Sequence, residues 1–131
     1  MPKIKSKIEQ IDAMFKNSSI LPKPIQRTEK AQKIADQQCK NLRLYQTRTC
    51  PFCLKVRLKI RELGLKIELV DTNEINHKQE LVDFGGKPQV PCLRVISTES
   101  KNPDASKDKW IYESDVINRY LEENFKLLVN L

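Results

Sequence analysis

The segment that most constrains this chain is Thr49-Cys50-Pro51-Phe52-Cys53, set between an apolar alternating run and a long charged one. Before it, Leu42, Leu44 and Gln46 alternate with Arg43, Tyr45 and Thr47, the pattern of a short strand. After it, Leu54–Arg61 alternates apolar and cationic residues, which by period alone reads as a strand too. Three features argue for a helix instead. Pro51 suits a first-turn position, Leu, Lys, Arg and Glu favour helix, and Gly64 stands where a C-terminal glycine belongs. Val56, Ile60 and Leu63 also keep an apolar stripe at helical spacing. A Cys-x-x-Cys pair is therefore expected at a strand-to-helix junction. The unpaired amides and partial positive charge of a helix start stabilise a thiolate over a thiol there. Cys53, one turn on, is within reach to attack a mixed disulfide formed at Cys50. Taken alone, such a pair is open to redox, metal-binding or chaperone readings.

Charge and cysteine usage narrow those readings. The 131 residues carry a net charge of +7, but unevenly. Residues 1–41 hold nine Lys/Arg against four acids, and the remainder fifteen against thirteen. The folded body is nearly balanced, which argues against a nucleic-acid-binding face. A structural zinc site wants two such pairs or added histidines, whereas the one histidine is His77 and Cys39 and Cys92 are widely separated. No metal is expected. No run approaches the ~20 apolar residues of a membrane span, and no apolar secretion core follows the Lys-rich start. A reducing, cytoplasmic setting is the expectation.

Residues 1–40 read as a basic helical extension. Ile4, Ile8, Ile11 and Phe15 recur at helical spacing among Lys3, Lys5, Lys7 and Lys16. This segment either docks on the domain or stays mobile, the favoured reading, or rests residues 1–16 on an anionic membrane or a partner protein. Asn17-Ser18-Ser19 and Leu21-Pro22-Lys23-Pro24 interrupt it, and a second helix is expected from an N-cap at Thr28 to about Gln38. Residues 41–131 read as one α/β domain. Strands are expected at Leu65–Val70, Val90–Ile96 and Trp110–Tyr112, and a helix at Asn76–Phe84 stopped by Gly85-Gly86. A polar loop runs from Ser97 to Lys109. A last helix, capped by Glu113 or Ser114, carries a stripe of Val116, Ile117, Tyr120, Leu121 and Phe125.

The resulting order, β-α-β-α-β-β-α with Cys-Pro-Phe-Cys after the first strand, resembles the thioredoxin fold and specifically the glutaredoxins, over about Asn41–Phe125. Gln89-Val90-Pro91 is similar to the segment that precedes their third strand, where the proline is cis. Tyr112-Glu113-Ser114-Asp115 is closer to the Glu-Ser signature of glutathione-transferase N-terminal domains than to the glutaredoxin Gly-Gly-x-Ser-Asp pattern. The resemblance implies a mixed four-stranded sheet flanked by helices, with glutathione as co-substrate and no resident metal. It implies catalytic Cys50 and Cys53 forming a redox-active disulfide, Val90 and Pro91 pairing with the cysteinyl unit of glutathione, and Glu113 and Ser114 taking its γ-glutamyl group. Lys78 or Arg48 would take the glycyl carboxylate, although a solvated helix lysine is the simpler reading of Lys78. Cys92 is expected as a small core residue, Cys39 as a free thiol, and His77 as exposed.

The expected activity is glutathione-dependent thiol–disulfide exchange on protein disulfides or glutathionylated proteins. Two alternatives stand beside it: a glutathione-ligated iron–sulfur carrier, against which Pro51 counts, and a membrane-tethered redox adaptor. A complete glutathione transferase fits poorly, since only Lys126–Leu131 follow the last helix.

Overall fold

The computed structural model describes residues 23–98 and 107–130. The expected leader helix over residues 1–16 and most of the Ser97–Lys109 loop lie outside the described residues. Helix α1 spans Glu29–Cys39, β1 Leu42–Gln46, α2 Pro51–Glu62, β2 Glu68–Asp71 and α3 Ile75–Glu80. A π-helical turn at Leu81–Gly85 follows, then β3 at Cys92–Val95, β4 at Lys109–Tyr112 and α4 at Ser114–Phe125. The sheet order is β2-β1-β3-β4. β1 and β2 are parallel, joined through α2, while β1–β3 and β3–β4 are antiparallel. This is the mixed four-stranded sheet of a thioredoxin fold.

The alternating Leu54–Arg61 run is helical because burial follows the helix period rather than the strand period. Cys53, Val56 and Ile60 are buried, whereas Leu54 and Leu58 are only partly covered. Gly64 adopts a left-handed φ of +61° and closes the helix. Its N–H donates to Arg61 O and that of Leu65 to Ile60 O, both at 3.0 Å, which satisfies two otherwise orphaned carbonyls. The same closure shortens β2. Leu65 N–H is committed to helix α2, so the ladder starts only where Glu68 meets Arg43, three residues later than the alternation suggests. Leu65 and Ile67 remain buried, but Leu69, which the alternation puts on the same face, is 46% exposed.

Other boundaries move for equally local reasons. The Asn76–Phe84 helix begins at Ile75 and widens into the π turn at Leu81, and Gly86, at φ +94°, ends it. β3 starts at Cys92, after Pro91, which has no N–H to give a ladder. In α4 the buried stripe is Ser114, Ile117, Leu121 and Phe125. Val116 is off it and 47% exposed, because the small Ser114 takes the first inward position.

The sheet divides the interior into two cores. On one face Leu42, Leu44 and Leu93 pack with Val56 and Ile60 of α2, Ile117 and Leu121 of α4, and Ala35 and Cys39 of α1. The division expected between residues 40 and 41 thus falls inside one continuous core. Residues 25–28 strengthen the join. Ile25 N–H donates to Glu62 O and Thr28 N–H to Val129 O, each at 2.9 Å. Arg27 donates to the carbonyls of Leu128, Phe125 and Leu63, gathering the C-terminal ends of α2 and α4 around one guanidinium. Thr28 caps α1, its Oγ1 accepting from Ala31 N at 3.1 Å.

On the other face Tyr45, Val70, Leu81 and Cys92 form a smaller core beside Trp110 and Tyr112. An ion cluster sits at its edge. Arg94 pairs with Asp108 at 2.7 Å and with Glu80 at 3.1 Å. Its guanidinium lies 4.9 Å from the centre of the Trp110 ring. Asp108 in turn accepts from Ser97 N–H at 2.9 Å, anchoring one end of the long loop.

Candidate functional site

The antiparallel pairings of β1 with β3 and of β3 with β4 bring the end of β1, the start of β3 and the start of α4 to one end of the sheet, and the dithiol lies there. Cys50 is the N-cap of α2, with extended backbone, and Pro51 is the first helical residue. Cys50 O accepts from Leu54 N at 3.0 Å, so the helix begins at the cysteine itself. The two sulfurs have unlike surroundings. Cys50 is partly exposed and Cys53 fully buried. Burial pushes the Cys53 thiol up to about 11; a Thr47 backbone hydrogen bond works against this, and a hydrogen bond to Cys50 adds to it. All four cysteines are free thiols.

Beside the dithiol is a cavity of about 250 Å³ lined by Phe52, Gln89, Val90, Pro91, Glu113, Ser114 and Asp115. Three separate segments meet in it: the first turn of α2, the approach to β3 and the β4–α4 junction. Val90, Pro91, Glu113 and Ser114, singled out from sequence, come together here, and the Val90–Pro91 bond is cis. Arg48 and Lys78 are exposed and are not among the lining residues. Phe52, Gln89 and Asp115 join the wall without having been singled out, although each lies inside or next to a quoted motif. Phe52 is 62% exposed, an apolar ring facing water at the rim.

The start of α4 departs from the expected cap. Glu113 occupies the N-cap position with φ +70°, the one positive φ at a non-glycine residue among the described residues, and its side chain makes no capping bond. Ser114 is buried and opens the helix. The partial positive charge of that helix start therefore lies on the cavity wall without a side-chain cap. Asp115 pairs with Lys55 of α2, whose hydrogen bond holds its carboxyl below the usual range. A second pair, Lys59–Glu122, ties the same two helices further along.

Cys92 is buried directly behind Pro91 and hydrogen-bonded to Tyr112, and burial pushes its thiol up to about 12. His77 is partly exposed, its Nδ1 3.1 Å from Asp71 O, and lies off the cavity wall. Among the described residues no group of three or more His, Cys, Asp or Glu is placed to hold a metal ion, and no helix is long and apolar enough to cross a membrane.

These environments predict a pH dependence. The Cys53 and Cys92 thiols ionise later in the folded chain than their ordinary value of 9.0. Between pH 9 and about 11 to 12 the unfolded chain releases those protons first, so stability present below pH 9 is lost as pH rises through that window. Urea midpoints measured from pH 7 to 11 are expected to hold until about 9 and then decline, and Cys92→Ala is expected to lessen the slope. A flat profile to pH 11 would contradict the assignment.

Residues 44–127 match the family model of the glutathione S-transferase N-terminal domain. The chain is 35% identical over 77 residues to glutathione S-transferase DHAR3, a chloroplastic protein of Arabidopsis thaliana, covering 58% of this chain and 25% of that one. It thus spans about a quarter of that curated relative. The trimeric glutathione transferase TDR1 of Leishmania superposes with a TM-score of 0.51 at 26% identity, over 64% of this chain and 18% of its own. Glutathione transferase Omega 3C of Trametes versicolor gives 0.54 at 22% identity, over 80% of this chain and 43% of its own, a likeness of fold. The matched residues take in the dithiol and every residue of the cavity wall, and the chain belongs to the glutathione S-transferase N-terminal domain family.

Proposed function

We propose that this protein is a glutathione-dependent thiol–disulfide oxidoreductase of glutaredoxin-like type, acting on protein disulfides or glutathione mixed disulfides. The observation that carries the reading is the unlike pair of sulfurs at the start of α2: Cys50 open to an incoming disulfide, Cys53 buried behind it. Cys50 thiolate attacks the glutathione sulfur of a mixed disulfide. An S–S bond forms between them, and the protein sulfur leaves with the electron pair and takes up a proton. A second glutathione thiolate then attacks the adduct, freeing Cys50 and releasing glutathione disulfide. On a protein disulfide, Cys50 thiolate attacks one sulfur, and the other leaves and takes up a proton. Cys53 then loses its proton and attacks Cys50 of that mixed disulfide, the substrate's second sulfur leaves and takes up a proton, and a Cys50–Cys53 disulfide remains for glutathione to reduce.

The cavity supports glutathione as the co-substrate. In this reading the Val90-Pro91 backbone pairs with the cysteinyl unit, Glu113 takes the γ-glutamyl ammonium, and Ser114 with the α4 amides takes the γ-glutamyl carboxylate. The glycyl carboxylate falls to Arg48 or Lys78. The relatives are named glutathione transferases, and the proposal shares glutathione with them while drawing its chemistry from the dithiol.

Titration of the isotope-labelled protein with glutathione is expected to shift the amides of Phe52, Val90 and Ser114. Ser114→Ala is expected to raise KM for glutathione by about tenfold with kcat changed less than threefold, the mark of a lost binding contact. Unmoved amides together with an unchanged KM would remove glutathione from this cavity.

A further inference from the structure

Arg57 belongs to no motif singled out above, yet its guanidinium ties down the loop that leads to the dithiol. It lies seven residues after Cys50, two turns along α2 and on the same side of the helix. Its Nη1 donates to Gln46 Oε1 and, at 3.2 Å, to Thr47 O; Nη2 donates to Arg48 O, also at 3.2 Å. One planar side chain therefore holds the last residue of β1 and the next two, the whole approach to Thr49 and Cys50. Gln46 is 5% exposed, so the amide that Arg57 grips is itself fixed in the interior. The positive charge also reaches Cys53, where it works against the burial that keeps that thiol protonated.

Disulfide exchange makes a stringent demand on this loop. The attacking sulfur, the sulfur attacked and the leaving sulfur must be close to a line, so small rotations at Cys50 count heavily. Pro51 and the α2 backbone set the helix side of the cysteine, and nothing in those two restrains the strand side. We propose that Arg57 is a positioning residue for the dithiol, fixing the direction from which Cys50 meets its substrate by clamping residues 46–48 to α2. The inference rests on the redox reading above. A lysine has the charge but not the planar fork: its three N–H donors radiate from one nitrogen and do not span acceptors that two guanidinium nitrogens share.

The test uses the full chain with Arg57→Met, which keeps the stem along the helix, and Arg57→Lys. A glutathione-coupled mixed-disulfide assay gives kcat and KM, and the alkylation rate of Cys50 by iodoacetamide is followed without glutathione. Arg57→Met is expected to lower kcat about tenfold and to change KM for glutathione less, because the cavity wall holds none of residues 46–48 and only Arg48 of the three is a candidate for the glycyl carboxylate. Alkylation at Cys50 is expected to slow several-fold, and Arg57→Lys to recover only part of both losses. Values of kcat and alkylation rate for Arg57→Met within twofold of wild type would overturn the proposal, as would full recovery by lysine. Should Arg57→Met fail to fold, Arg57→Lys carries the test, with a kcat of about one third of wild type or lower expected and wild-type kcat overturning it. Absence of turnover in the wild type would instead end the redox reading, and the alkylation rates would still decide whether Arg57 orients Cys50.

Discussion

In Cys50→Ser, turnover of a glutathione mixed disulfide is expected to fall on the order of a thousandfold or more, to the rate of the uncatalysed exchange, since a serine hydroxyl does not ionise to replace the thiolate. Cys53→Ser separates the two routes. It retains deglutathionylation, which needs Cys50 alone, and loses reduction of intramolecular protein disulfides, for which the second sulfur resolves the adduct. The structure makes the contrast sharp because Cys53 is fully buried and its thiol raised to about 11, so it cannot stand in for Cys50 as the attacking group. The measurement is a coupled assay on both substrate types with each variant. Substantial activity in Cys50→Ser would end the proposed chemistry, whereas loss of both activities in Cys53→Ser would show that the dithiol acts only as a unit.

The second large effect is on stability and lies away from the dithiol. Arg94→Met is expected to destabilise the domain by about 3 kcal/mol, the loss typical of removing one partner from a buried ion pair. Arg94 is covered on all but 12% of its side chain and Asp108 on all but 3%, so Asp108 would be left charged in the interior. Glu80, 35% exposed, can turn to water and contributes less to the loss. Asp108→Asn in the Arg94→Met background is expected to recover about 1 kcal/mol or more, because the amide needs no cation and still accepts from Ser97 N–H. Urea unfolding of the two variants beside the wild type reads this directly, and a loss under about 0.5 kcal/mol in Arg94→Met would show the cluster to be solvated.

Much of the architecture was legible in the residues. Pro51 and Gly64 bracket α2 because each meets a local need, a donor that a helix start does not use and a left-handed turn at its end. Those needs outweigh the alternation of Leu54–Arg61, whose burial then follows the helix. Strand ends were less legible, since they depend on which neighbour claims each N–H. Leu65 is indistinguishable in sequence from a strand residue, and only its bond to Ile60 O removes it from β2. Val116 was misread for a similar reason: a hydropathy stripe cannot tell that Ser114, small and polar, takes the inward position.

The candidate site divides in the same way. By itself the sequence determined the dithiol, its order relative to a helix start, and the two short segments around Pro91 and Ser114, because those depend on adjacent residues. Only the tertiary structure decided that Phe52, Gln89 and Asp115 share a wall with them, that Arg48 and Lys78 stand off it, and that Arg57 reaches back over the loop before Cys50. It also decided the asymmetry on which the chemistry turns. Two cysteines of the same helix turn are alike in sequence; one is partly exposed and the other buried because Cys53 continues the inward stripe of Val56 and Ile60, while Cys50 sits at the open end of the helix.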